Sequence, residues 1–153
     1  MSSQDEILVS EQVLQVPFNY SAGPVASRFL TALRDERKIL GLKCQKCGKV
    51  HVPPRAVCGS CFVKMEEWVE VGPRGTLENF TTVHYSAPVV CERPDARPFT
   101  IGLIRLEGAD TAFAHLALAP ERELKIGMEL MPVWSDERRG HILDLRGFAP
   151  VGA

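Results

Sequence analysis

Four of the five cysteines in this 153-residue chain fall within "CQKCGKVHVPPRAVCGSC", residues 44–61, as two C-x-x-C pairs ten residues apart. A C-x-x-C pair turns the chain so that both sulfurs face one point, with the amides of the turn aimed at the thiolates. Gly48 after the first pair and Gly59 within the second supply the small residues such turns favour. Two pairs offer four thiolates, the donor set of tetrahedral zinc, with iron as the fallback metal for the same sulfur cage. The competing readings are a thioredoxin-like redox site and unrelated thiols, and two matched pairs argue against both. With Cys44, Cys47, Cys58 and Cys61 all bound, no coordination position stays open for water or substrate, so the expected zinc is structural. A segment of about thirty residues with two successive prolines and few large apolar side chains cannot build a core of its own. Metal binding energy becomes its folding energy.

The rest of the chain is ordinary for a globular protein, with 45% hydrophobic and 24% charged residues and a net charge of −1. Such a balance gives no long-range pull toward nucleic acid or an anionic membrane. "MSSQDEILVSEQVLQ" lacks the basic stretch and apolar run of a secretory signal, and no segment approaches the ~18 apolar residues of a membrane span. The expected location is cytoplasmic, with no membrane partner. In that reducing compartment paired cysteines favour metal over disulfides.

Three parts are expected: an arm and helix over 1–37, the zinc ribbon over 38–71, and a β domain over 72–153. Gly23-Pro24 opens a helix, since proline at the first helical position loses no needed N–H. From Val25 to about Glu36 apolar residues recur at three- and four-residue spacing (Val25/Ala26, Phe29/Leu30, Leu33), giving one apolar stripe to bury against the ribbon or against a partner chain. From Gly72 the pattern changes to short apolar runs between turn signals. "TLENFTTVHY" (76–85), "FTIGLIRLE" (99–107), "TAFAHLAL" (111–118), "MELMPVWS" (128–135) and "HILDLRGF" (141–148) are five strand candidates. The strand phase slips at Gly102 and around Phe80, as the bulges of a strongly coiled barrel would require. Five strands point to a small closed barrel of the OB-fold type. The fold class is mainly β.

The order of helix, "CQKCGKVHVPPRAVCGSC", a strand with Trp68, "GPRGTLENFTTVHY" and "ELKIGMEL" resembles the DUF35 family over about residues 25–148. The resemblance implies a rubredoxin-like zinc ribbon joined to an OB-fold, with Cys44, Cys47, Cys58 and Cys61 as the zinc ligands. It also implies an acyl-CoA role, as a small accessory subunit in a hetero-oligomer with a thiolase-like protein. The small subunit of heteromeric thiolases, such as the benzoylsuccinyl-CoA type, is the nearest kind. A CoA ester would then be a ligand shared with that partner.

The loop Ser86–Pro98 presents Arg93 and Arg97, with Arg55 and Arg74 nearer the ribbon. Guanidinium groups match the phosphates of CoA, so these four are candidate contacts; the alternative is a solvated surface. Cys91 lies in the same loop with no helix start to lower its pKa, and reads as an inert thiol rather than a nucleophile. His51 is not expected to be a ligand, because four thiolates already satisfy the metal. The four histidines are scattered, and His84 and His115 fall on strand candidates as core or interface residues. No nucleophile–base pair is legible by spacing, so no catalytic residue is assigned. The competing class is a single-stranded nucleic-acid binder, which zinc ribbons and OB-folds also build. It needs a basic groove with stacking aromatics, and this slightly acidic chain with 7% aromatics offers none on one strand.

Overall fold

Pro24 sits in the first turn of the expected helix, α1 (Gly23–Asp35), whose buried residues are Phe29, Ala32 and Leu33. The computed structural model describes residues 9, 16, 17, 19–84 and 98–152. After the helix the chain forms β1 (Ile39–Lys43), β2 (Val50–His51) and β3 (Glu67–Val71), a three-stranded antiparallel sheet in the order β2-β1-β3. The two cysteine pairs occupy the turns on either side of β2.

Five strands follow: β4 (Gly75–Val83), β5 (Phe99–Leu106), β6 (Phe113–Ala117), β7 (Glu129–Trp134) and β8 (Leu145–Pro150). They close into a barrel in the order β4-β5-β6-β8-β7, with β7 returning to β4. Among the described residues the protein is mainly β, with one α-helix and a five-stranded OB barrel, as expected. All neighbours are antiparallel except β6 and β8, whose seam is a single parallel pair, Ala117 with Phe148. The expected slip on the first barrel strand is a register shift between Leu77 and Asn79 against β5. At Gly102 a Cβ would come within 2.9 Å of Leu77 Cδ1, so this close strand crossing leaves no room for a larger residue.

The fifth strand begins later than its sequence pattern suggests. "HILDL" alternates like a strand, but Ile142–Asp144 form a 3₁₀ turn and β8 starts at Leu145. The cause is Asp144, whose carboxylate accepts from the backbone amides of Arg139 (3.0 Å), Gly140 (2.7 Å) and His141 (3.1 Å). His141 returns the favour, its Nδ1 accepting from the Leu143 amide at 3.2 Å. This reciprocal cap satisfies amides that a strand would have used in its ladder.

One hydrophobic core runs through all three parts. Phe29 and Leu33 of α1, with Ile39, Val50, Val52 and Val71 of the ribbon sheet, pack in the same cluster as Leu77, Ile104, Phe113, Leu130 and Phe148 of the barrel. Phe29 meets Phe113 edge-on, with ring centroids 6.4 Å apart, and Phe113 meets Phe148 in the same way at 6.2 Å. The helix stripe is therefore buried inside the chain, against the barrel, and Phe29 and Leu33 are not free for a partner. A second, smaller cluster joins Leu42, Cys44, Cys58 and Met65 beneath the cysteine turns.

Two measurements test this arrangement. Leu33, with no exposed surface, should on replacement by alanine cost about 2–5 kcal/mol. Chemical denaturation should show the barrel's transition moving with the helix's; a barrel transition that stays put would mean the core is not shared. The second concerns Asp144. Burial pushes its carboxyl up, but the amides of Arg139, Gly140 and His141 together outweigh that and hold it below the usual carboxylate range. A depressed folded-state pKa gives stability that is present above the unfolded value and lost as pH falls through the folded one. Asp144→Ala should thus lose about 0.5–2 kcal/mol at neutral pH, as for other lost caps. That difference from wild type should narrow in acid unfolding series.

Candidate metal centre

Each cysteine pair folds into the same tight turn. In the first, the Gly48 amide donates to the Cys44 carbonyl at 2.8 Å and the Cys44 amide to the Lys49 carbonyl at 2.8 Å. In the second, Phe62 donates to Cys58 at 2.9 Å and Cys58 to Val63 at 3.0 Å. Gly48 has φ of 76°, the left-handed conformation that glycine adopts freely, and Phe62 takes the same place at φ 55°. The requirement for a special residue thus falls on the position after each pair. Gly59 sits in open space with no positive φ, and the turn does not depend on it.

The two turns face each other, so that the sulfurs of Cys44, Cys47, Cys58 and Cys61 all lie within 4.8 Å of one another. Cys47 and Cys58 Sγ are 3.9 Å apart, far beyond a disulfide bond and close to the ~3.8 Å edge of a tetrahedron with ~2.3 Å zinc–sulfur bonds. All four are free thiols. The amide of Cys47, helped by that of Lys46, holds the Cys44 thiol down to about 6 against the cost of burial. The amides of Ser60 and Cys61 lower Cys58 in the same way. Cys61 is instead pushed up to about 12 by its hydrogen bond with Cys47, by burial and by the neighbouring thiols. Four sulfurs this close cannot all shed their protons unless a cation replaces them. The donor set and its spacing therefore fit a tetrahedral metal, and Cys44 and Cys58 are buried while Cys47 stays exposed.

His51 lies beside the sulfurs, a contact that the sequence reading did not give. It is buried, with Nε2 3.7 Å from Cys58 Sγ. The signal was strand register: His51 pairs with Leu42, two residues before Cys44, which places it on the same sheet face as Leu42 and Cys44. The other histidines lie elsewhere. His115 is buried in the barrel core against Phe113 and Phe148, its Nδ1 accepting from the Leu116 amide, and burial pushes its pKa down. His84 is exposed, 3.9 Å from Glu121.

Cys91, Arg93 and Arg97 lie outside the described residues. Arg55 is exposed just after the two prolines of the ribbon. Arg74 faces Glu129 on β7 at 3.3 Å. The two are not gathered into one site: a cleft of about 380 Å³ on the barrel is lined by Thr82, His84, Phe99, Thr100, Leu116 and Glu121, with neither arginine in its wall. Among the described residues no helix is long and apolar enough to cross a membrane.

Comparison with known proteins agrees with this architecture. Residues 31–66 match the family profile of the ChsH2 rubredoxin-like zinc ribbon domain, and residues 68–135 that of the ChsH2 C-terminal OB-fold domain. A DUF35 domain-containing scaffold protein of Methanocaldococcus jannaschii is 26% identical over 103 residues, 67% of this chain and 71% of that one. Its counterpart in Pyrococcus furiosus is 27% identical over 104 residues, 68% and 74% of the two chains. Among solved structures, a DUF35 protein of unknown function from Sulfolobus solfataricus superposes with a TM-score of 0.58 at 29% identity, over 72% of this chain and 78% of that one. A chain of the Ltp2-ChsH2(DUF35) aldolase superposes with a TM-score of 0.61 at 18% identity, over 86% of this chain and 98% of that one. With both profiles matched in order and spanning well over half its length, the chain belongs to the DUF35 family, in the form that joins a ChsH2-type zinc ribbon to an OB-fold.

Proposed function

We propose that this protein is a cytoplasmic, non-catalytic scaffold subunit of a thiolase-like enzyme complex acting on acyl-CoA esters, with one structural zinc in its ribbon. The observation that carries this reading is the shared two-module architecture. The chain covers 98% of a chain from a solved structure described as an Ltp2-ChsH2(DUF35) aldolase, and its curated relatives are described as scaffold proteins. The ligands would be Cys44, Cys47, Cys58 and Cys61. Zinc bound by four thiolates has no free position, so it would hold the ribbon rather than act on substrate.

The CoA ester would lie on the barrel side, shared with the partner. His84 and Pro98 both line the 380 Å³ cleft, and Arg93 and Arg97 would be the phosphate contacts in this reading. Arg55 and Arg74 are the weaker candidates for phosphate contact, since Arg74 already has Glu129 as a partner.

Freshly purified protein should contain one zinc per chain. Cys58→Ser should lose it, together with the near-ultraviolet signal of Trp68, because structural zinc supplies on the order of 10 kcal/mol to such modules. Elemental analysis that found neither zinc nor iron would refute the metal assignment. For the partner, co-expression with adjacent genes should copurify a thiolase-like protein. The chain alone should have no thiolytic or aldolytic activity, the complex should have it, and Cys91→Ala should leave it unchanged. Arg93→Ala with Arg97→Ala should raise the apparent KM for the CoA substrate while the complex still forms. Turnover by the isolated chain would overturn the scaffold reading.

A further inference from the structure

We propose that His51 is a positioning residue of the metal centre: its ring donates an N–H···S hydrogen bond from Nε2 to Cys58 and fixes that sulfur for the metal. The inference rests on the reading that the four cysteines hold zinc. Three observations carry it. His51 is only 6% exposed, so its ring cannot satisfy itself with bulk water. Nε2 stands 3.7 Å from Cys58 Sγ, within reach of a hydrogen bond to sulfur. Nδ1 is buried and has no hydrogen-bond partner among the described residues.

The unpartnered Nδ1 decides the tautomer. A proton there would bury an N–H with no acceptor and turn the Nε2 lone pair toward a thiolate, two unfavourable contacts at once. A proton on Nε2 instead makes the N–H···S bond and leaves only an acceptor unfilled, the less costly vacancy in protein interiors. A thiolate can only accept, so the donor must be the ring.

The position of the ring is itself enforced from outside the ribbon. The amides on either side of His51 are tied to the barrel: Val50 donates to Asp110 Oδ2 and Val52 to Thr111 Oγ1, both at 2.8 Å. These two bonds pin the strand that carries the imidazole, so the barrel sets the ring and the ring sets Cys58. Metal-ligand geometry is commonly tuned by such outer partners, whose loss costs 10–100-fold in metal affinity. Here the usual arrangement is inverted, since the histidine supports a thiolate rather than being supported as a ligand.

The test compares full-length wild type with His51→Phe, which keeps the ring's bulk and removes the donor, and His51→Gln, which places an amide N–H where Nε2 was. Zinc affinity is read by chelator competition. It is expected to fall about 10–100-fold in His51→Phe and to recover to within about threefold of wild type in His51→Gln. In wild type loaded with ¹¹³Cd, the imidazole proton should reside on Nε2 and show scalar coupling to the metal through the Cys58 sulfur. Unchanged affinity in His51→Phe, equal losses in both variants, or a proton found on Nδ1 would each overturn the proposal. Should His51→Phe fail to fold, the coupling in wild type decides. Wild type that binds no stoichiometric metal would bring down the zinc reading and this one with it; wild type that binds zinc tightly but shows no coupling and no donor dependence brings down only the role of His51.

Discussion

The amides of Val50 and Val52 reach out of the ribbon to the Asp110 carboxylate and the Thr111 hydroxyl, and the arrangement of the whole chain hangs on that junction. β2 has β1 on one side only, so its other edge would present bare amides. The turn after β5 supplies the missing acceptors, and the Asp110 amide returns a bond to the Val50 carbonyl at 2.9 Å. Thr111 does the same to the Val52 carbonyl at 2.9 Å. An exposed strand edge is thereby closed by a piece of barrel rather than by another chain.

This junction explains how so small a ribbon can be rigid. Its own interior is a handful of residues around the sulfurs, among them Leu42 and Met65, while Ile39, Val50, Val52 and Val71 pack into the core shared with α1 and the barrel. The sulfur turns order one end of the ribbon sheet and the barrel orders the rest. The surface salt bridges, such as Lys38 with Glu70 and Lys43 with Glu67, join exposed side chains and add little by comparison.

What was legible in the sequence was what local spacing determines. Two C-x-x-C pairs bring four thiols to one place because each turn is four residues long, and the barrel strands show as apolar runs because their pleat repeats every two residues. What was hidden depended on partners far along the chain or on one side chain overriding a pattern. The helix stripe identified Phe29 and Leu33 as buried but could not say that Phe113, some eighty residues on, would bury them. "HILDL" reads as a strand until Asp144 is seen gathering three amides. A phenylalanine in the place of Gly48 breaks the rule by which the second turn would be recognised, since only the fold holds Phe62 at positive φ. Arg74 looked free for phosphate, and its partner Glu129 is fifty-five residues away.

The seam between β6 and β8 gives the barrel a direction in which to yield. Elsewhere its strands share longer ladders; at the seam one registered pair and a bond from the Leu118 amide to the Phe148 carbonyl, at 2.7 Å, close the circuit. Leu116, Ala117 and Leu118 also form one wall of the cleft that holds His84. The barrel is thus a belt whose buckle sits beside a cleft. A molecule seated in the cleft would touch the clasp rather than the band, and because Ala117 and Phe148 belong to the shared core, any strain on the clasp would be felt in that core.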